Sequence, residues 1–175
     1  FSKIESPFDA RMGGALFGVQ NVTERHEKGL KNMFAVFAST LTSLNIQHVK
    51  DVSLLQNGVF EFWDKNELSF PVLQKLNISG LGSFIPYCIN MFAKPNENKF
   101  VTLKDLTLRY ASISDVQINT LVQALPHLVN LDMAYNTESM EGDLIFSQLL
   151  DLQTLNLYSC KLTKFKHALQ EKQVK

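Results

Sequence analysis

The side chains that could do chemistry are few in this chain and stand far apart. The histidines and cysteines are His26, His48, His127, His167, Cys88 and Cys160. A structural zinc site needs Cys and His ligands at short, paired spacings. No histidine here stands three or four residues from another His or Cys, so the sequence predicts no metal site.

The glycine and serine patterns do not indicate an active site either. Gly13-Gly14 and Gly80-x-Gly82 lack the further Gly, Lys and Ser or Thr residues of a phosphate-binding loop. The chain also has no Gly-x-Ser-x-Gly motif for a nucleophilic serine. We therefore expect no catalytic residues, no cofactor and no enzyme activity.

The composition is that of one folded domain. The chain has 175 residues, of which 45% are hydrophobic and 19% charged, with 17 basic and 17 acidic side chains. Such a chain can bury a core, and its neutral balance argues against nucleic-acid binding. No run approaches the roughly 18 apolar residues that a membrane span needs, so we expect none.

The cysteine count bears on the cellular location. Two cysteines are too few for a disulfide-stapled secreted scaffold. Glycosylation sequons begin at Asn21 and Asn77, but matches by chance are expected in a chain rich in Asn, Ser and Thr. We expect an intracellular location, cytoplasmic or nuclear, and the extracellular alternative stays open. Because the chain begins with Phe1 rather than Met, we also expect a processed product or a fragment of a longer chain.

A six-residue pattern, Leu-x-x-Leu-x-Leu, recurs along the chain and must position whatever site exists. Clear copies start at Leu41, Leu73, Leu103, Leu128 and Leu152, three of them with Ile or Met at the last position. A weaker sixth copy fits at Met12, Ala15 and Phe17. Successive copies are 24 to 32 residues apart, about the length of a strand and its return segment.

Each hexad predicts a short strand and each interval a helix. The fourth and sixth hexad positions alternate with polar residues, which is typical of a strand with one buried face. After Ile113, apolar residues recur at helical spacing as far as Leu125, with Ser114 as the N-cap and Pro126 as the stop. Similar spacing predicts helices over residues 24–37, 84–92 and 143–150.

Two of the hexads extend into a longer motif that resembles the leucine-rich-repeat family. Leu152-x-x-Leu155-x-Leu157-x-x-Cys160-x-Leu162 matches its consensus through the Cys, and the copy at Leu128 matches through Asn136. The segment after Ile113 is similar to the cysteine-containing subtype of F-box substrate receptors and to the ribonuclease-inhibitor type. Three copies depart from the motif and should have less regular turns, with Val49, Leu81 and Ala111 in place of Asn or Cys.

The resemblance implies an α/β fold, a leucine-rich-repeat solenoid of about six repeats. It covers most of the chain and implies one domain over residues 1–175, with repeats starting near residues 12, 41, 73, 103, 128 and 152. The curved parallel sheet would line the concave side and the helices the convex side. The following side chains should then share one core: Leu44, Ile46, Leu76, Ile78, Leu106, Leu108, Leu131, Met133, Leu155 and Leu157.

Because side chains alternate across a strand, the polar hexad positions should form rows on the open face. Tyr and Arg are frequent in interface hot spots, and this face carries both. We predict a partner-binding surface made of Asn45, Gln47, Asn77, Thr107, Arg109, Tyr110, Asp132, Tyr135, Asn156 and Tyr158. Two alternatives remain, namely a solvated face with incidental tyrosines and a binding site on the convex side at Phe62 and Trp63.

The resemblance and the lack of catalytic groups favour a non-catalytic module that binds a protein partner through its concave face. By resemblance this would be a substrate-recognition or adaptor domain of a ubiquitin-ligase-type assembly, within a larger chain or complex. The alternative is the ligand-sensing leucine-rich-repeat domain of an immune-type receptor. Nucleic acid is not expected as a partner, and no membrane span is expected. The basic segment from Leu162 to Leu169 predicts a terminal return helix, with contact to a membrane or an acidic partner as the alternative.

Overall fold

The computed structural model describes residues 3–4, 24–47, 70–93, 100–137, 139–140 and 146–162. Its helices are α1 (Glu24–Phe37), α2 (Ile85–Phe92) and α3 (Asp115–Ala124), and 3₁₀ turns lie at Gly82–Phe84 and Phe146–Gln148. Its strands are β1 (Lys3–Ile4), β2 (Ser43–Asn45), β3 (Lys75–Asn77), β4 (Asp105–Thr107), β5 (Asn130–Asp132), β6 (Ser139–Met140), β7 (Thr154–Asn156) and β8 (Lys161–Leu162).

The main sheet confirms the predicted parallel pairing in chain order. Six strands follow one another as β1-β2-β3-β4-β5-β7, and every pair is parallel. The register aligns the fourth position of each clear hexad, at Leu44, Leu76, Leu106, Leu131 and Leu155. Strands β6 and β8 form a separate parallel pair. The fold is α/β, with the helices packed on the apolar side of the sheet in one core.

The strand that precedes β2 was not predicted by the hexad pattern. Strand β1 pairs Ile4 with Leu44, whereas the weak sixth hexad was placed at Met12, Ala15 and Phe17. Those three residues lie outside the described part of the chain, and so do the candidate aromatic site at Phe62 and Trp63, His48 and residues 163–169 of the basic C-terminal segment.

Eight of the ten predicted core residues are fully buried. The four leucines at the aligned fourth position of β2 to β5 are 1–2% exposed, and the residues two positions further on are 0% exposed. Burying a Leu side chain stabilises the fold by about 1.5–3 kcal/mol. The prediction is wrong for Leu155 and Leu157, which are half-buried. Strand β7 is the last of the sheet, and among the described residues no strand covers its outer side.

Three of the four helical segments form as predicted. Helix α1 spans Glu24–Phe37, α2 starts at Ile85 after a 3₁₀ turn, and α3 ends before Pro126. At the start of α3, the main-chain N–H of Ser114 donates to Oε1 of Gln117 at 2.9 Å, which is one half of a capping box.

The prediction of a helix over residues 143–150 is wrong for residues 146–150, which are the part of this range that the structure describes. A 3₁₀ turn at Phe146–Gln148 stands in its place, and Phe146 and Leu149 are both buried. Residues three apart share one face of a 3₁₀ helix, so this tighter turn buries both side chains. The interval from Leu128 to Leu152 is also the shortest between hexads, at 24 residues.

Candidate functional site

The ten residues predicted to bind a partner lie together on the side of the sheet that faces away from the core. The strand register aligns Asn45, Asn77, Thr107, Asp132 and Asn156 in one row across β2 to β5 and β7. The other five, Gln47, Arg109, Tyr110, Tyr135 and Tyr158, follow at the carboxyl ends of these strands. None of the ten is fully buried. We call these ten residues the polar face.

Four members of the central row serve the backbone of their own strand ends. In each case the side-chain Oδ1 accepts a hydrogen bond from the main-chain N–H two residues further on, at 3.1–3.3 Å. The acceptors are Asn45, Asn77, Asp132 and Asn156. This is the local geometry that Asn and Asp favour at turns. These atoms hold the strand ends in shape, a role that the sequence analysis missed.

The fifth position of that row is Thr107, which has no carboxamide to offer. The N–H of Arg109 instead donates to Oγ of Ser79 on the neighbouring strand, at 3.0 Å. Ser79 is 1% exposed, so the amide is satisfied away from solvent. The row is therefore continuous in hydrogen bonding although its side chains differ.

A second polar row, at the start of the strands, was not predicted as part of the site. Nζ of Lys75 lies 2.8 Å from Oδ2 of Asp105, and Nδ2 of Asn130 donates to Oδ1 of Asp105 at 2.5 Å. Thr154 in turn donates to Oδ1 of Asn130. Partial burial acts to raise the pKa of Asp105, but the hydrogen bonds from Lys75 and Asn130 outweigh it and lower the pKa. The row links β3, β4, β5 and β7. In the sequence its residues are the third positions of the aligned hexads, and this alignment could have identified the row.

Arg109 and Asp132 form an ion pair across β4 and β5. Nε and one terminal nitrogen of Arg109 both donate to Oδ2 of Asp132, at 2.9 and 2.5 Å. Partial burial acts to raise the pKa of Asp132, but hydrogen bonds from Arg109 and from the Ala134 amide outweigh it and lower the pKa. The hydrogen bond to Asp132 likewise raises the pKa of Arg109. Both side chains are charged at neutral pH, and they neutralise each other.

Three tyrosines form a contiguous ladder beside this ion pair. The rings of Tyr110 and Tyr135 are stacked, with centroids 4.7 Å apart and planes within 3°. Tyr158 meets Tyr135 edge to face, at 5.4 Å and 79°. Tyr110 is 50% exposed and Tyr158 66% exposed, so the ladder offers aromatic surface to solvent. We call Tyr110, Tyr135 and Tyr158 the tyrosine ladder.

The backbone of the ladder has a costly conformation. Tyr110 and Tyr135 have φ of +52° and +62°, and the equivalent positions of the neighbouring strands are Gly80 at +71° and Ser159 at +56°. Positive φ is natural for Gly but costs other residues about 1–2 kcal/mol. Two tyrosines therefore lie at positions where Gly would adopt the same backbone conformation at a lower free-energy cost.

Behind the ladder, Asn136 organises the turns that follow β4 and β5. It is 0% exposed. Its Oδ1 accepts from the N–H of Ala111 at 2.8 Å, and its Nδ2 donates to the carbonyls of Leu108 and Met133 at 2.9 and 2.5 Å. One side chain thus satisfies main-chain groups of two successive turns, including the turn at Ala111 that lacks an Asn of its own.

The cysteines differ in burial. Cys88 in α2 is 1% exposed, and burial strongly raises the pKa of its thiol, which keeps it protonated. Cys160 is only half-buried, and its Sγ lies 3.1 Å from the carbonyl of Met133. Burial raises its pKa as well.

Three further observations concern the described residues alone. No cluster of three or more His, Cys, Asp or Glu side chains that could hold a metal ion is found among them. His127 is exposed on its surface loop, and Nδ1 lies 3.0 Å from Oδ2 of Asp151. Within these ranges no helix is long and apolar enough to cross a membrane.

The polar face also holds a shallow pocket. Its volume is about 300 Å³, and it is lined by residues of β4, β5 and β7, among them Asp105, Asp132, Thr154 and Asn156. Most of these polar atoms already bond to one another or to Arg109 and Lys75. The pocket is therefore a shallow depression in the surface, and both of its carboxylates are paired.

Comparison with known proteins gives no assignment. No family model matches the chain, and no curated protein matches it.

Proposed function

We propose that this chain is a non-catalytic leucine-rich-repeat domain that binds a protein partner through its polar face. The in-register parallel strands and the buried Asn136 that joins two turns support the repeat assignment. In such an array the polar face lines the concave side, and stacked units create an extended binding surface. Substrate recognition or adaptor work in a ubiquitin-ligase-type assembly fits this geometry.

The tyrosine ladder is the observation that carries the proposal. Tyrosine offers a large, rigid contact area with a polar tip and is enriched in interface hot spots. Here two tyrosines hold a backbone conformation that favours Gly, although neither belongs to the buried core. Strained positions that persist outside the core are frequent at functional sites. The exposed and contiguous rings at these turn positions therefore support a role in binding.

The test is a double variant, Arg109→Ala with Tyr135→Ala, in pull-down and calorimetric titration against the protein that co-purifies with the chain. Removing two hot-spot side chains is expected to weaken binding by at least about 2 kcal/mol each. Gln123→Ala, an exposed change on α3, is the matched control and should bind normally. Unchanged affinity in the double variant, with folding intact by circular dichroism, would refute the assignment of the polar face.

A further inference from the structure

The charges around the tyrosine ladder limit the kind of partner that fits it. Arg109 is paired with Asp132, and Lys75 is paired with Asp105. A cationic partner would meet Arg109 beside the rings, and an anionic partner would meet Asp132, so neither gains from electrostatic complementarity. The ladder is therefore suited to an uncharged ligand.

The position of the ladder excludes several ways of binding a peptide. Strand addition pairs a ligand along the length of an edge strand, whereas the ladder runs across the carboxyl ends of β4, β5 and β7. A helical ligand needs an apolar groove, whereas the rows beside the ladder are Asn, Asp, Thr and Arg. Recognition of a phosphorylated motif needs an arginine cluster, and the Arg on this face is already paired.

The shape and chemistry of the ladder match a polyproline II segment. Such a segment has no internal hydrogen bonds, so its solvated carbonyls can accept hydrogen bonds from a binding partner, and its proline rings pack on aromatic side chains. The planes of Tyr110 and Tyr135 are parallel, and that of Tyr158 is nearly perpendicular to Tyr135. This arrangement makes a corner of ring surfaces, each ring with a hydroxyl tip, and a corner can receive a compact proline ring.

We propose that the tyrosine ladder binds an uncharged, proline-rich segment of the partner in the polyproline II conformation. This inference rests on the proposed function and specifies the chemistry of its ligand. Because the ligand is preformed and loses little entropy on binding, a small exposed aromatic patch is enough to hold it.

The experiment titrates the whole chain with a decaproline peptide by calorimetry, and with a Gly-Ser peptide of equal length as the control. We expect saturable binding of decaproline, and binding of the Gly-Ser peptide at least about tenfold weaker, because aromatic contacts dominate. Tyr135→Ala should weaken decaproline binding by at least about tenfold, while Gln123→Ala leaves it unchanged.

Three results would overturn this inference: no binding of decaproline, equal binding of both peptides, or equal binding of decaproline to the chain and to Tyr135→Ala. Saturable binding of cellohexaose in place of decaproline would point to a carbohydrate ligand and would also refute it. If decaproline fails while partner capture still depends on Arg109 and Tyr135, the proposed function stands and only the ligand chemistry is wrong. If partner capture is insensitive as well, both fail.

Discussion

The two sides of strands β4 and β5 differ in what their residues do. On the core side, Leu106 and Leu131 are 1% exposed and pack with the helices. On the other side, Arg109 and Asp132 pair with each other, and the tyrosine ladder faces solvent. The core side thus determines the fold, whereas the polar face is available for another role.

A similar difference divides the polar face itself. Its Asn and Asp side chains accept hydrogen bonds from their own strand ends, so their polarity is partly structural. The tyrosine rings contact one another and are partly exposed, and two of the tyrosines hold a positive φ. A polar row on a sheet face is therefore weak support for binding, and the exposed, strained aromatics are stronger support.

The largest effect is expected on the core side. Leu106→Ala should lower the free energy of unfolding by about 2–5 kcal/mol, because it removes buried area and leaves a cavity. Leu155→Ala, in the half-buried equivalent position of the last strand, should cost about 1–2 kcal/mol. Urea denaturation of both variants measures the two values. Equal losses would show that β7 is as well covered as the middle of the sheet.

The next effect concerns the turns behind the tyrosine ladder. Asn136→Ala should cost about 2–3 kcal/mol, because it leaves the Ala111 amide and the Leu108 carbonyl without this partner and removes one donor to the Met133 carbonyl. Thr137→Ala, next to it and exposed, should change stability little. Thermal melting compares the pair, and a loss of less than about 0.5 kcal/mol in the Asn136 variant would contradict the hydrogen bonding described above.

The sequence predicted the parallel strands, most of the core and the position of the tyrosines, because these depend only on the two-residue period and on the hexad alignment. The row from Lys75 through Asp105 and Asn130 to Thr154 was missed, since the hexad alignment places these residues side by side but does not show that their side chains bond to one another. Strand β1 was also missed, because a strand of two residues is too short to show an alternation of polar and apolar side chains. The 3₁₀ turn at Phe146–Gln148 was missed because spacings of three fit both kinds of helix.

A smaller effect is expected from the ion pair on the polar face. The pKa of Asp132 is lowered in the folded chain. The ionised carboxylate therefore stabilises the fold fully at a pH above its pKa in the unfolded chain, about 3.9, and this stabilisation is lost as the pH falls through the lower pKa of the folded chain. Asp132→Asn should cost less than about 1 kcal/mol at pH 7, and the cost should shrink as the pH falls below about 3.9. Melting temperatures from pH 7 to pH 2 test this. Asp151→Asn, in an exposed pair with His127, is the control. A constant gap between the Asp132 variant and the unaltered chain would contradict the prediction.

The smallest effect on stability is expected within the tyrosine ladder. Tyr110→Gly loses the ring stacking but relieves the positive φ, so the net change should stay within about 1 kcal/mol. Tyr110→Ala loses the same stacking and keeps the strain, so it should be the less stable variant by about 1 kcal/mol. Denaturant midpoints rank the two. If the Ala variant is the more stable, Tyr110 does not hold the conformation described here.

Site-specific photo-crosslinking tests most directly whether the polar face is the binding surface. The change Tyr158→p-benzoylphenylalanine places the crosslinker on the tyrosine ladder, and Val116→p-benzoylphenylalanine places it on α3, at positions that are 66% and 76% exposed. We expect irradiation of cells that make each variant to give a discrete protein adduct from position 158 and none from position 116. The adduct should disappear when Arg109→Ala is added. A discrete adduct from position 116 alone would contradict the account and place the partner on the helical side.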